Sequence, residues 1–351
     1  MVTTVDRKVD RTAAPRPRYA YRDGRIVPYR EASFGLLTHA LNYGTGLFAG
    51  LRGYWNAEER QLFVFRPEDH FRRFCESARL LRMELSVTPA DLTRGLIELL
   101  RAEGYHENCY IRPLAFYGDE SIGVRLHNLT PVVGMAALPF GSYLGKEDGI
   151  HVMISSWTRV SDNVIPARGK FSGSYVNSAL AKTDAVLAGF DEALLLNDHG
   201  HVCEGSVENV FMLRNGVVVT PPVTDDVLEG FTRATNIQLL REELGQTVVE
   251  RSIDRTELYL ADEVFLTGTG AQISPVVRAD HRPIGSGATG VLTAALRARY
   301  LEVTSGRVAR YRAWCRPVYA PAAAAAAEAP VPGGVAGARR SSRPRPRSIR
   351  R

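Results

Sequence analysis

Four glycine-bearing segments hold the residues of this chain that could do chemistry. The first, Val164-Ile-Pro-Ala-Arg-Gly-Lys-Phe-Ser-Gly-Ser-Tyr-Val-Asn177, sets Lys170 in a Gly-rich turn just ahead of a helix. A lysine desolvated there, close to other cations, loses its proton readily and can form a Schiff base with a carbonyl. The second, Cys203-Glu-Gly-Ser-Val-Glu-Asn209, places two acids at the junction of two strands. Acids on a turn are ordinarily solvated, but a buried one can keep a heteroaromatic nitrogen protonated. The third, Val227-Leu-Glu-Gly-Phe-Thr-Arg-Ala-Thr235, puts Gly and Thr at a helix N-terminus, a phosphate cradle in form. The fourth, Leu266-Thr-Gly-Thr-Gly-Ala-Gln-Ile-Ser-Pro275, ends a strand in hydroxyls and close-approach amides suited to an anion. Singly, each is also an ordinary loop, turn or cap; the four together, in this order, are not ordinary.

The elements that must position these segments follow from periodicity. Gln61–Phe65 reads as a strand, and 67–83 as a helix with Pro67 at its entry. Residues 89–103 form a second amphipathic helix, followed by strands over 109–116 and 131–138. After a polar break at 146–149 comes a strand at 150–155, then an irregular stretch to Gly173 and a helix at 175–188. Strands at 192–196 and 201–204 flank the turn Asp198-His199-Gly200, and strands at 209–213 and 217–220 flank Asn215-Gly216, a strong hairpin signal. Helices are expected at 230–244, 255–260 and 289–301, with strands at 247–252 and 263–266. This mixture of hairpins and helices is α+β, or mixed α/β, rather than a doubly wound parallel sheet.

The 351 residues, 45% of them hydrophobic, suffice for two cores. Composition and pattern divide them into an expected flexible N-terminus (1–18), a small α/β domain (19–145), a linker (146–149), a large domain (150–317) and a disordered Ala/Pro- then Arg-rich tail (318–351). The formal charge of +6 comes from that tail: seven arginines from Arg339 onward against one acid, Glu328. The body is therefore near neutral, which argues against a nucleic-acid partner, although the Arg-rich tail keeps that alternative open. No apolar run approaches a membrane span, and the polar first residues hold no secretory h-region. The four scattered cysteines form no CxxC pair, so neither a disulfide framework nor a metal site is expected, and a reducing cytoplasm fits.

From about Tyr21 to Cys315 the sequence resembles the class IV (fold type IV) aminotransferases, and within them the branched-chain amino-acid aminotransferases. The resemblance is carried by Asn42-Tyr-Gly-Thr-Gly-Leu-Phe-Ala-Gly50, Val64-Phe-Arg-Pro-Glu-Asp-His70, Tyr110-Ile-Arg-Pro113 and Ser155-Ser-Trp-Thr-Arg159. Glu204-Gly-Ser-Val-Glu-Asn209, Leu228-Glu-Gly-Phe-Thr-Arg233 and Tyr259-Leu-Ala-Asp-Glu-Val-Phe-Leu-Thr-Gly-Thr269 complete it. It implies the two-domain, D-amino-acid-aminotransferase-like fold, with 150–317 binding pyridoxal 5'-phosphate. Lys170 would hold the cofactor as a Schiff base and shuttle the proton. Glu204 would pair with the pyridine nitrogen, and Tyr175 with the phenolic oxygen. Arg66, the amides of Phe231 and Thr232, and the Thr269 hydroxyl would take the phosphate. Tyr43, Phe48, Tyr110, Arg112, Tyr143 and Gly270 would meet the substrate, and Gly123-Val124 would sit on a loop closing the site of a second subunit. A homodimer, or a larger assembly of dimers, is expected. The implied reaction is ping-pong transfer of an amino group between a branched-chain or related hydrophobic L-amino acid and 2-oxoglutarate.

The match departs at Ala49, where Glu is usual, at Phe140, where Trp is common, and at Gly270 and Gln272, where Ala and Glu are common. A carboxylate missing beside Tyr43 and Arg52 alters the pocket's charge, and opens a side-chain preference other than Leu, Ile and Val. The same lysine and glutamate signatures serve D-amino-acid and (R)-amine aminotransferases and aminodeoxychorismate lyases. The Tyr43 motif, Tyr110-Ile-Arg-Pro113 and the longer first domain weigh against these.

Overall fold

The computed structural model describes residues 16–141 and 148–320. Its first sheet contains β1 (Tyr19–Arg22), β2 (Arg25–Pro28), β3 (Gly46–Phe48), β4 (Leu51–Asn56), β5 (Gln61–Phe65), β6 (Cys109–Tyr117) and β7 (Pro131–Pro139). Helices α1 (His39–Tyr43), α2 (Pro67–Leu80) and α3 (Pro89–Glu103) belong to the same stretch of chain. Helix α3 starts on a capping box between Thr88 and Asp91, which satisfies two of its free amides. The long pair β6–β7 runs in unbroken antiparallel register from Cys109↔Pro139 to Tyr117↔Pro131. Along β6 burial alternates residue by residue, so Tyr110 and Arg112 share the less buried face.

The second sheet holds β8 (Ile150–Thr158), β9 (Glu192–Leu196), β10 (Val202–Gly205), β11 (Asn209–Arg214), β12 (Val217–Thr220), β13 (Val248–Glu250), β14 (Glu263–Gly268), β15 (Gln272–Ala279) and β16 (Arg282–Pro283). Strand β10 pairs with both β9 and β11, so β8, β9, β10, β11, β14 and β15 close on themselves. The closed ring encloses Ile150, Val152, Leu194, Val202, Val210 and Leu266, members of one buried cluster. Helices α4 (Tyr175–Leu187), α5 (Phe231–Glu242), α6 (Arg255–Leu258) and α7 (Val291–Thr304) complete this half. The Asn215-Gly216 turn forms as its residues dictate, with φ of 51° and 75°.

Strand β17 (Cys315–Pro317) returns to pair with β5, so it extends the first sheet although it follows the second in sequence. A further cluster joins Tyr54, Phe63 and Phe65 to Phe211, Phe265, Leu239, Tyr300 and Tyr311, packing residues of both sheets into a common core. Arg18 is held by its backbone and guanidinium to Glu103, so this residue of the segment expected to be flexible is anchored. Residues 1–15, part of the expected linker (146–147) and the Ala/Pro- and Arg-rich stretch from 321 lie outside the described residues.

Candidate active site

Lys170 is placed by backbone, not by its own side chain. The lysine loop runs against β3: Phe48 N donates to Lys170 O at 3.0 Å, and Ser172 N to Gly46 O at 2.8 Å. Its Nζ lies 5.3 Å from the Phe48 ring centre and 5.1 Å from that of Tyr175, the first residue of α4. Burial, then the charges of Arg73, Arg112 and Arg159, bring the amine down to about 7, with Glu204 working the other way. At neutral pH much of it is therefore an unprotonated nucleophile. Tyr175 packs edge-on against Phe48, and burial pushes its phenol up, so it stays protonated.

Lys170 opens into a cavity of about 540 Å³, of a size to hold a small organic ligand. Glu204 stands in its wall on β10. Its Oε1 pairs with Arg159 at 2.7 Å; its Oε2 accepts from Asn209 Nδ2 at 3.0 Å and from Leu228 N at 3.2 Å. The β10–β11 register sets Asn209 directly opposite. Burial raises this carboxyl, while the Arg159 guanidinium and the Leu228 amide pull it back. Three donors fix its orientation.

At another part of the wall is the N-terminus of α5. Gly230 is its N-cap and no side chain caps it, so the first amides remain free beside Phe231 and Thr232. A Cβ at Gly230 would stand 2.1 Å from Asn209 Oδ1, which explains glycine there. Thr269 and Gly270 line the cavity from the β14–β15 loop, and nearby Thr267 Oγ1 is buried without a partner.

The arginine that lines the cavity beside this helix end is Arg73, not Arg66. Arg66 precedes the first turn of α2, its backbone N donates to Trp314 O, and its guanidinium engages Asp69 at 2.6 Å and Thr235 at 3.0 Å. It lies near both the Phe231 and Trp314 rings, away from the cavity lining. Arg73, two turns along, lines the cavity, lies 4.8 Å from the Phe231 ring centre and donates to Glu229 O at 2.7 Å. Burial lowers it to about 10, which leaves it a cation. The available signal was its helical face: Arg73 falls at the spacing of buried His70 and Ser77, whereas Arg72 is exposed. Arg159 and Asn209 also belong to the site. Both stand in motifs that carry the resemblance, but their pairing with Glu204 is a tertiary contact.

Phe48, Tyr110 and Arg112 line the rest. Arg112 lies 4.4 Å from the Phe48 ring centre, donates to Tyr110 Oη at 3.0 Å, and keeps a buried Nε without a partner. Phe140 also lines the cavity, its ring 5.1 Å from that of Tyr110. Arg52 binds the carbonyls of Gly270 at 3.0 Å and Gly141 at 2.7 Å, tying two lips of the opening. Tyr43 and Val124 are brought together elsewhere: Gly123 N donates to Tyr43 Oη at 2.9 Å, and Val124 is 77% exposed. Neither lines the cavity of its own chain. Tyr143 lies outside the described residues.

A buried lysine, a clamped carboxylate and an uncapped helix end on this fold define a class. Residues 46–279 match the family model of the class IV aminotransferases, and the chain belongs to that family. It is an aminotransferase. Its similarity is most specific to branched-chain enzymes: it is 45% identical over 301 residues to a probable branched-chain-amino-acid aminotransferase of Aquifex aeolicus, covering 86% of this chain and 97% of that one. The branched-chain aminotransferase of Thermobaculum terrenum, solved in its PLP form, superposes with a TM-score of 0.84 at 41% identity, covering 87% of this chain and 99% of that one. The branched-chain aminotransferase of the archaeon Thermoproteus uzoniensis, solved with norvaline, gives 0.83 at 39% identity, covering 86% of this chain and 100% of that one. No helix among the described residues is long and apolar enough to cross a membrane.

Proposed function

We propose that the chain transfers an amino group between a branched-chain or related hydrophobic L-amino acid and 2-oxoglutarate, in two half-reactions, with pyridoxal 5'-phosphate held in this cavity. The carrying observation is the buried Lys170, its amine brought down to about 7, in one cavity with the triply held Glu204. The residues fit the cofactor: the uncapped start of α5 and the unpartnered Thr267 hydroxyl are free to take phosphate oxygens, and Arg73 supplies a planar cation beside them. When bound, the cofactor supplies the electron sink that lets the substrate Cα–H ionise.

The chain's own groups do the rest. Lys170 anchors the cofactor by its amine and, once released, carries the proton between substrate Cα and cofactor. Glu204, held by Arg159, Asn209 and Leu228, keeps the ring nitrogen protonated. Tyr175 orients the phenolic oxygen. Arg112, with a free Nε, meets a substrate carboxylate, and Phe48, Tyr110 and Phe140 give an apolar wall for the side chain. Tyr43 and Val124 reach the site of a second copy, which accounts for their grouping away from their own cavity, so a homodimer is the working form.

The test is an absorbance titration of the purified chain and Lys170→Ala with L-leucine, D-alanine and an (R)-amine in parallel. Visible absorbance lost on adding L-leucine, in the native chain only, is the expected result. Response to D-alanine or the amine alone would move the substrate class, and a chain that cannot be loaded would end the proposal.

A further inference from the structure

Three carboxylates are buried around this end of the closed sheet: Glu192 at 0%, Glu204 at 5% and Glu208 at 1% exposure. Two have a cation. Glu192, on β9, takes Lys182 Nζ at 2.6 Å and Ala193 N at 2.8 Å. Glu204, on β10, takes Arg159. Both cations are thereby engaged, and Lys182 also donates to Asp191 O. Glu208 has neither arrangement. Its Oε2 accepts one 3.3 Å bond from Val207 N, and its Oε1 is buried with no partner. It lines the same cavity as Lys170.

An ionised carboxylate buried this way costs several kcal/mol, more than one long hydrogen bond returns, so the group is expected to neutralise itself. The charges around it agree. Burial, then Glu192 on β9, push Glu208 up to about 8; Lys182 on α4 and Lys170 on the lysine loop oppose them. On β14, whose Thr267 faces Asn209 in the register, the unpartnered group is uncharged: the buried Thr267 Oγ1 has an open acceptor site in the same lining.

We infer that Glu208 holds its proton through the neutral range and is a positioning residue for Lys170, because as a neutral acid it withholds a second negative charge from the cavity. This rests on the reading of Lys170 as the anchoring lysine. With Glu208 neutral, Glu204 is the carboxylate that works against the burial and the three guanidiniums lowering the amine. Once Glu208 ionises, its charge draws a proton onto Lys170.

The experiment uses the full chain freed of cofactor, beside Glu208→Gln, which mimics the neutral acid. The infrared carbonyl band of a carboxylic acid is followed against pH, and Lys170 is labelled with an amine reagent and quantified by mass of its peptide. The native chain should show a neutral-pH acid band that fades above about pH 8 and is missing from Glu208→Gln. Labelling of Lys170 at neutral pH should agree within about twofold, and at about pH 9 the native chain should label more slowly, because the Glu208 carboxylate raises the lysine's affinity for a proton from solvent. A native chain without the acid band overturns the inference. So does a variant that labels about tenfold faster at neutral pH, the signature of a carboxylate removed, or identical labelling at high pH. Should Glu208→Gln fail to fold, Glu208→Met and the native band decide. The band does not require Lys170 to bind a cofactor, so loss of the proposed function and loss of this inference are separate results.

Discussion

Replacing Arg73 by alanine should separate cofactor anchoring from folding. Its guanidinium lies beside the uncapped start of α5 and already spends one donor on Glu229 O. The remaining donors are those a phosphate would take. A charge-assisted hydrogen bond contributes about 1.5–3 kcal/mol, so losing one weakens cofactor binding by roughly 10- to 150-fold. A second effect follows from the same charge. Arg73 is the largest electrostatic cause lowering Lys170, so its removal raises the lysine and moves adduct formation to higher pH. Arg66→Ala provides the contrast: it breaks the Asp69 and Thr235 contacts and frees a face of Phe231, which costs stability rather than phosphate contacts. The assay titrates the cofactor-free chain with pyridoxal 5'-phosphate and with pyridoxal, which lacks the phosphate, at several pH values. Arg73→Ala should lose most of the preference for the phosphorylated form, and Arg66→Ala should keep it while melting earlier. If Arg66→Ala loses the preference and Arg73→Ala retains it, the assignment from the cavity lining is wrong.

The same small substitution at two glycines should split the site in half. Gly230→Ala drives a methyl to within 2.1 Å of Asn209 Oδ1 and should weaken cofactor binding, whereas Gly50→Ala meets Tyr110 Oη at 2.2 Å and should raise KM for the amino acid with cofactor affinity kept. Glu204→Gln leaves Arg159 buried without its partner, so the melting temperature should fall as well as kcat, the stability loss being about 3–5 kcal/mol. Ala49→Glu should shift the relative kcat/KM among Leu, Ile, Val and other hydrophobic amino acids; an unchanged profile would remove Ala49 as a source of specificity. Because the folded state raises Glu208 from 4.5 to about 8, its contribution to stability is full below the unfolded value and is lost as pH rises through about 8. Native melting temperatures should fall across that window more than those of Glu208→Gln.

What the sequence made legible is local. Lys170, Glu204, the helix start at Phe231 and Thr232, and Thr269 sit in short glycine-bearing turns whose backbone form nearly dictates where a side chain goes, and the structure gathers them in one cavity. The Asn215-Gly216 hairpin was readable for the same reason. Arg66 is the left-handed N-cap of α2 and Arg73 lies two turns along it, so the choice between them depends on which stretch of the helix meets the cavity, a tertiary matter. Strand β15 is not legible locally, because its Gly-rich approach and Pro275 have the composition of a turn, yet pairing with both β14 and β8 makes it a strand. Strand β17 joins the first sheet across some 250 residues, a pairing that no local pattern encodes.

The cavity's charges are complementary to what the proposed function would put in it. Arg159 is cancelled by Glu204 at 2.7 Å, and burial together with the surrounding guanidiniums brings Lys170 down to about 7. Among the described residues, Arg73 and Arg112 remain as cations without a carboxylate partner in the lining, one beside the α5 N-terminus and the other beside Tyr110. Two open cations in a buried space are costly unless a ligand brings anions to both. A phosphate at the first and a carboxylate at the second would do so. The same guanidiniums that wait for the ligand are those that lower Lys170. Binding therefore acts on the lysine as well: a phosphate that offsets Arg73 and a carboxylate that offsets Arg112 both raise it, so an arriving substrate increases the basicity of the group that must accept its proton.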